Sequence, residues 1–177
     1  MDTLFPSVEV APQSNEIRAL WWNQPYAGLM LHGKIETRTY PTKVRGNVLI
    51  CVCKTPLTIS QVSEIAGHDQ YMRIVQSPLS GHVFHRENLG SAIAISVLVD
   101  CRPMTKEDED KCYVRYREPW TEERVNKKTG KVKIIHKQLW CWVFEKVKPI
   151  QPFQIDGKQG WAILTDEEKN KIRVLHR

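Results

Sequence analysis

The chain has 177 residues, 41% hydrophobic and 26% charged, with a formal net charge of +6 at pH 7. That length lets one compact domain bury a real core without a disulfide or metal staple, and the composition excludes a disordered chain or one built of membrane spans. The basic balance permits a polyanionic partner without requiring one.

Residues 1 to 16 contain Pro and Ser and lack the basic start, apolar middle and small-residue cleavage site of a secretory signal. They read as a tail before a single domain over residues 17 to 177. Five cysteines, an odd number, then point to free thiols and a cytoplasmic, reducing location. Cys51 and Cys53 would share one face of a strand, with no C-x-x-C pair or histidine at ligand spacing, so neither a metal nor a cofactor is expected.

"RALWW" at residues 18 to 22 is a short apolar strand. "NQPYAGLMLHG" follows as a helix of about two to three turns, with Asn23 as N-cap, Pro25 in the first turn and Gly33 as the stop. Residues 34 to 40, "KIETRTY", alternate as a strand does, with Lys34, Glu36, Arg38 and Tyr40 on one parity and Ile35, Thr37 and Thr39 on the other. An Arg45-Gly46 turn leads into the buried run "NVLICVCK". A helix capped at Thr58 or Ser60 is expected to stop at Gly67, and residues 68 to 90 read as loop, holding His82 and His85.

"SAIAISVLVDC" is the clearest strand, followed by a charged connection with one helical turn. Residues 113 to 137 form a basic insertion with a hairpin tip at Thr129-Gly130. "QLWCWVFEKVKPI" is another strand, "QPFQIDGKQGWAIL" closes the sheet, and a short helix capped by Thr165 ends the chain. Short strands without regular strand–helix alternation predict an α+β fold: a small, mixed, largely antiparallel β-barrel flanked by short helices.

Three features carry chemistry. The alternate charges of residues 34 to 40 would stand about 6–7 Å apart on one face. Facing a cleft, the Lys and Arg would hold phosphate or polarise a carbonyl while the Glu accepts a proton or an amino group; facing solvent, they would only pair with one another. Trp142 and Trp161 suit either the wall of a base-stacking cleft or a core. From Arg115 to Lys137, eight Lys or Arg stand against three Glu, with Tyr116 and Trp120 among them. That mixture suits a nucleic-acid surface as well as a solvated hairpin. No Ser or Cys has the setting of a hydrolase nucleophile.

The pieces "NQPYAGLMLHG", "IETRTYPTKVRGNVLICVCK", "GSAIAISVLVDC", "WCWVFEKVKPI" and "GKQGW" occur in the order of the ASCH (activating signal cointegrator homology) domain family of the PUA-like superfamily, which the chain resembles from about residue 18 to 163. The resemblance implies a PUA-like barrel with a cleft for RNA or a nucleotide-like ligand. It carries over Gln24, Glu36, Arg38, Lys158, Gln159 and Trp161 as ligand-binding residues, to which the charge and aromatic pattern adds Tyr40, Arg45 and Trp142. One branch of the family hydrolyses N-acetylated cytidine with a Lys, a Thr and a Glu, for which Lys34, Thr37 and Glu36 would stand here. Glu87 is the other candidate for that glutamate. The family's usual G-x-K-x-x-E-x-R is shortened here by two residues between Gly33 and Glu36. The expected function is an RNA- or modified-nucleotide-binding module; the alternatives are an amidohydrolase of an N-acylated nucleoside and a protein-interaction domain.

Overall fold

The computed structural model describes residues 16–77 and 88–175. All but the last residue of the expected tail, together with His82, His85 and Glu87, lie outside the described residues. Eight strands run through them. β1 (Arg18–Trp22), β2 (Glu36–Arg38), β3 (Gly46–Val52), β4 (Ser91–Pro103), β7 (Trp140–Gln154) and β8 (Ala162–Ile163) form one sheet in the order β2-β7-β4-β3-β1-β8. β5 (Trp120–Val125) and β6 (Val132–Lys137) form a separate antiparallel hairpin. Every pairing in the large sheet is antiparallel except β1 with β3. The expected α+β architecture, largely antiparallel with flanking helices, is the one observed. The sheet is a curled half-barrel with β2 and β8 at its edges rather than a closed barrel.

β3 shows why the run "VLICV" at residues 48 to 52 is apolar throughout. Side chains alternate across a strand, and both faces of this one are covered. Val48, Ile50 and Val52 join Leu20, Trp22 and Trp142 inside the curl. Leu49 and Cys51 join Ala19, Trp21, Ile150 and Leu164 on the outer face. Full burial of each large side chain contributes about 1.5–3 kcal/mol. A third cluster, with Tyr26, Leu29, Val62, Ile74, Cys112 and Cys141, seats the helices.

Local chemistry explains several departures from the sequence expectation. The first helix, α1, is only Tyr26–Met30, and Pro25 rather than Asn23 holds the N-cap position. Asn23 donates instead to the Thr55 carbonyl at 2.7 Å. The second, α2 (Ile59–Gln76), begins as expected at Thr58 with a capping box to Gln61. Gly67 does not end it. With φ +73° and ψ 167°, this glycine kinks the element, which resumes to Gln76 and buries Gln70 and Ile74, so residues 68 to 76 are helical rather than loop. A 3₁₀ turn (Lys106–Asp108) and α3 (Glu109–Cys112) fill the charged connection.

At the hairpin tip, Asn126 Oδ1 accepts from the backbone N–H groups of Lys128 and Thr129, and Gly130 takes a positive φ. The final helix, α4 (Asp166–Asn170), has the expected Thr165 cap in a box with Glu168. It is shorter than the sequence suggested because Val174 pairs with Ile150 along the edge of β7.

Candidate functional site

The strand expected over residues 34 to 40 is regular only at Glu36–Arg38. Before it, the Lys34 N–H donates to the Leu29 carbonyl at 3.2 Å and the Ile35 N–H to the Lys111 carbonyl at 2.9 Å. These bonds hold Lys34 at the end of the α1 turn, where Gly33 takes φ +82°. Within β2, Glu36 faces Trp142 in register, Thr37 faces Cys141 and Arg38 faces Trp140.

Glu36 is buried between two cations. Lys34 Nζ donates to Glu36 Oε2 at 2.8 Å and to the Ile35 carbonyl at 3.0 Å. Arg38 Nε lies 2.9 Å from Glu36 Oε1. The side chains of Lys34 and Glu36 are 1% and 7% exposed, so this is an interior ion pair and not a solvent face. Burial works against the charge on Glu36, but Lys34 and Arg38 outweigh it and hold the carboxyl below its ordinary range. Burial, reinforced by Glu36, pushes the Tyr26 hydroxyl upward, so it stays a neutral donor, bonded to the Tyr113 carbonyl at 3.3 Å.

This cluster opens into a pocket of about 200 Å³. Lys34, Glu36, Thr37 and Arg38 line it from one side; Trp21, Trp22, Asn23 and Tyr26 line it from the end of β1 and the start of α1. Trp21 Nε1 is buried without a hydrogen-bond partner, whereas the Trp22 indole and Arg38 Nε lie against Glu36, whose carboxyl both help to hold low, and Thr37 lies against the Cys112 thiol. Trp21, Trp22, Thr37 and Arg38 all line this one pocket. Arg38 is an ion partner of Glu36 by distance, yet its Nε–H is not directed at that oxygen. Buried donors in folded proteins almost always find an acceptor, so the unspent Trp21 N–H and the poorly aimed Arg38 Nε–H leave hydrogen-bonding capacity in the residues around this pocket.

The other predicted residues are placed elsewhere. Trp142 is fully buried rather than on a cleft wall: Trp161 stacks on it with ring centres 5.5 Å apart, and its Nε1 donates to the Tyr40 carbonyl at 3.2 Å. Gln24 Oε1 accepts from the Gly28 N–H at 2.9 Å and so serves α1. Arg45 is an exposed turn residue bonded to the Thr42 and Val44 carbonyls. Lys158 and Gln159 are exposed and outside the pocket lining. Tyr40 is 48% exposed and lines a different groove, described below.

Thr37 shares the lining but alternates to the other side of β2, where it adds to the effect of Cys141 in lowering the Cys112 thiol. Trp21, Trp22 and Tyr26 were not singled out from sequence. Their signal was the "WWNQPY" junction, where a strand end meets a helix start.

No family model matches the chain, and no curated protein matches it. A solved structure does: a mutant of the ZmASCH protein from Zymomonas mobilis, over 88% of this chain and 94% of that one, at 11% identity and a TM-score of 0.45.

Proposed function

We propose that the pocket binds one base of an RNA or a modified nucleotide, most readily a pyrimidine. The observation that supports this is that Trp21, whose indole N–H has no partner, and the Arg38 guanidinium line the same pocket as the ionised Glu36. Such a lining asks for a ligand edge with more acceptors than donors. Cytosine offers O2 and N3 as acceptors and one amino group as donor, and uracil offers two carbonyls and one N–H. On the Watson–Crick edge guanine reverses that ratio, and adenine offers one acceptor and one donor. Glu36 keeps lone pairs free to accept the single ligand N–H. The volume of about 200 Å³ suits one ring system, being below the roughly 300–1,000 Å³ of whole-ligand clefts.

The test is titration of the full chain with cytidine, acetylated cytidine, uridine, adenosine and guanosine, followed by tryptophan fluorescence and calorimetry. The pyrimidines bind, and Arg38→Ala weakens them by about tenfold, the worth of one charge-assisted bond. If no nucleoside perturbs either signal, or purines bind better, the reading fails.

A second reading is hydrolysis of an N-acylated nucleoside such as acetylated cytidine. It draws on Lys34, Glu36 and Thr37 lining the same pocket. Assaying acetate release from acetylated cytidine tests it, and binding without turnover rejects it.

A further inference from the structure

The basic hairpin does not project into empty solvent. Between it and the turn after β2 lies a groove of about 790 Å³, larger than the charged pocket. Tyr40, Trp120 and Trp140 line it, together with Arg124, His136 and Lys137. Its aromatic side chains are half-buried or exposed, so their surfaces reach the groove, unlike the sealed Trp142.

Strand register explains the lining. Trp120 pairs with Lys137, Glu122 with Ile135 and Arg124 with Lys133, so these six residues share one face of the hairpin. The one carboxylate on that face, Glu122, is occupied: Lys137 Nζ is 2.6 Å from it and Trp120 Nε1 donates to it at 2.9 Å. Arg117 lies over the Trp120 ring at 4.1 Å, holding a guanidinium against the aromatic surface. The insertion of residues 113 to 137 carries eight Lys or Arg and three Glu, so its charge complements a polyanion.

Aromatic platforms interleaved with cations along an open groove are what single-stranded nucleic acid requires. Bases stack on the rings in any sequence, and the cations follow the phosphates. The groove also adjoins the charged pocket through consecutive residues. Arg38 lines the pocket, while Thr39, Tyr40 and Pro41 line the groove.

We infer that the groove between the β5–β6 hairpin and the Tyr40 turn is a track for single-stranded nucleic acid. The track holds the nucleotides that flank whatever the pocket receives. The track is lined by residues other than the pocket's and stands without the pocket's reading; only its holding of flanking nucleotides rests on that reading.

The experiment is fluorescence anisotropy of the full chain with labelled single-stranded oligoribonucleotides of two, five and ten residues, and with a duplex. Ten-residue polypyrimidine and polypurine strands are compared at two salt concentrations. Affinity rises with length, is tolerant of sequence and falls with salt. Trp120→Ala weakens the ten-residue strand by about tenfold. Arg124→Ala, at an exposed position that folding tolerates, lowers the salt slope by about one. Both variants leave nucleoside binding in the pocket unchanged, whereas Arg38→Ala weakens nucleoside binding by about tenfold and retains most of the length-dependent affinity.

Equal affinity for the two- and ten-residue strands overturns the inference, as does wild-type affinity in both hairpin variants. A polyglutamate peptide that binds where the oligonucleotides do not would assign the groove to an acidic protein partner and likewise overturn it.

Discussion

The Arg38 guanidinium lies 5.8 Å from the centre of the Trp22 ring, although three strands separate β2 from β1 in the sheet. Curling of the sheet brings these two residues together. The same curl stacks Trp161, just before the edge strand β8, on Trp142 of β7 with ring planes 2° apart. The pocket is thus assembled where the two ends of the sheet approach each other, and its charges are held inside that seam.

The buried pair Lys34–Glu36 predicts a large cost on removing one partner. Lys34→Met leaves Glu36 short of a counter-charge in a dry site and destabilises the fold by about 3–5 kcal/mol. The double variant Lys34→Met with Glu36→Gln costs less than the sum of its single variants, because the stranded charge is gone. Urea midpoints of the four proteins in that cycle check both statements. Additive losses would show that the pair is not coupled.

Acid sensitivity follows from two carboxylates. Glu36 is held low by Lys34 and Arg38 against its burial. Asp108 is held well below its usual range by Arg102, whose two guanidinium nitrogens each reach it at 2.7 Å, with the Thr105 N–H adding to the effect. A folded pKa below the unfolded one means stability that is complete above the unfolded values, roughly 4. It is lost as pH falls through the lower folded values. Urea midpoints between pH 7 and pH 2.5 should therefore drop steeply below about pH 4, and Glu36→Gln and Asp108→Asn should each flatten that limb. An acid limb unchanged in both variants would refute the assignment.

Thiol reactivity should divide the five cysteines. Cys51, Cys112 and Cys141 are buried, while Cys53 and Cys101 are partly exposed. Burial raises the Cys51 thiol, and the Cys112 neighbour at 3.7 Å together with burial raises Cys141. In the native protein a chromogenic disulfide reagent titrates Cys53 and Cys101, and the remaining three react only in denaturant. Peptide mapping of the labelled sites checks which pair reacts first.

Gly67 should tolerate no side chain. Its backbone, at φ +73° and ψ 167°, lies in a region open essentially to glycine, and an added Cβ would come within 3.1 Å of Arg115 Cδ. Gly67→Ala therefore costs about 1–3 kcal/mol. Gly130→Ala, with nothing within 4 Å of its added Cβ, costs less. Thermal midpoints of the two variants should separate in that order.

Much of this was legible from local pattern. Alternation and apolar runs identified β1, β3, β4 and β7, the Thr165 cap marked one helix start at the right residue, and Thr58 was one of the two caps offered for α2. These signals are local, so neighbouring residues suffice to read them. Gly67 shows the limit: a stop signal cannot tell whether the chain has an apolar face worth burying beyond it, and Ile74 did.

The site divides along the same line. Sequence by itself determined that Glu36 and Arg38 share a strand face, because the period of an extended chain is two. It also determined that residues 113 to 137 are basic and aromatic. Only the tertiary structure decided that the Lys34–Glu36 pair is buried, that Trp142 is core, and that Trp21 and Trp22 complete the pocket. Which side of a charged strand meets solvent depends on what the rest of the sheet lays over it. In this chain that cover comes from β1 and α1, brought around by the curl.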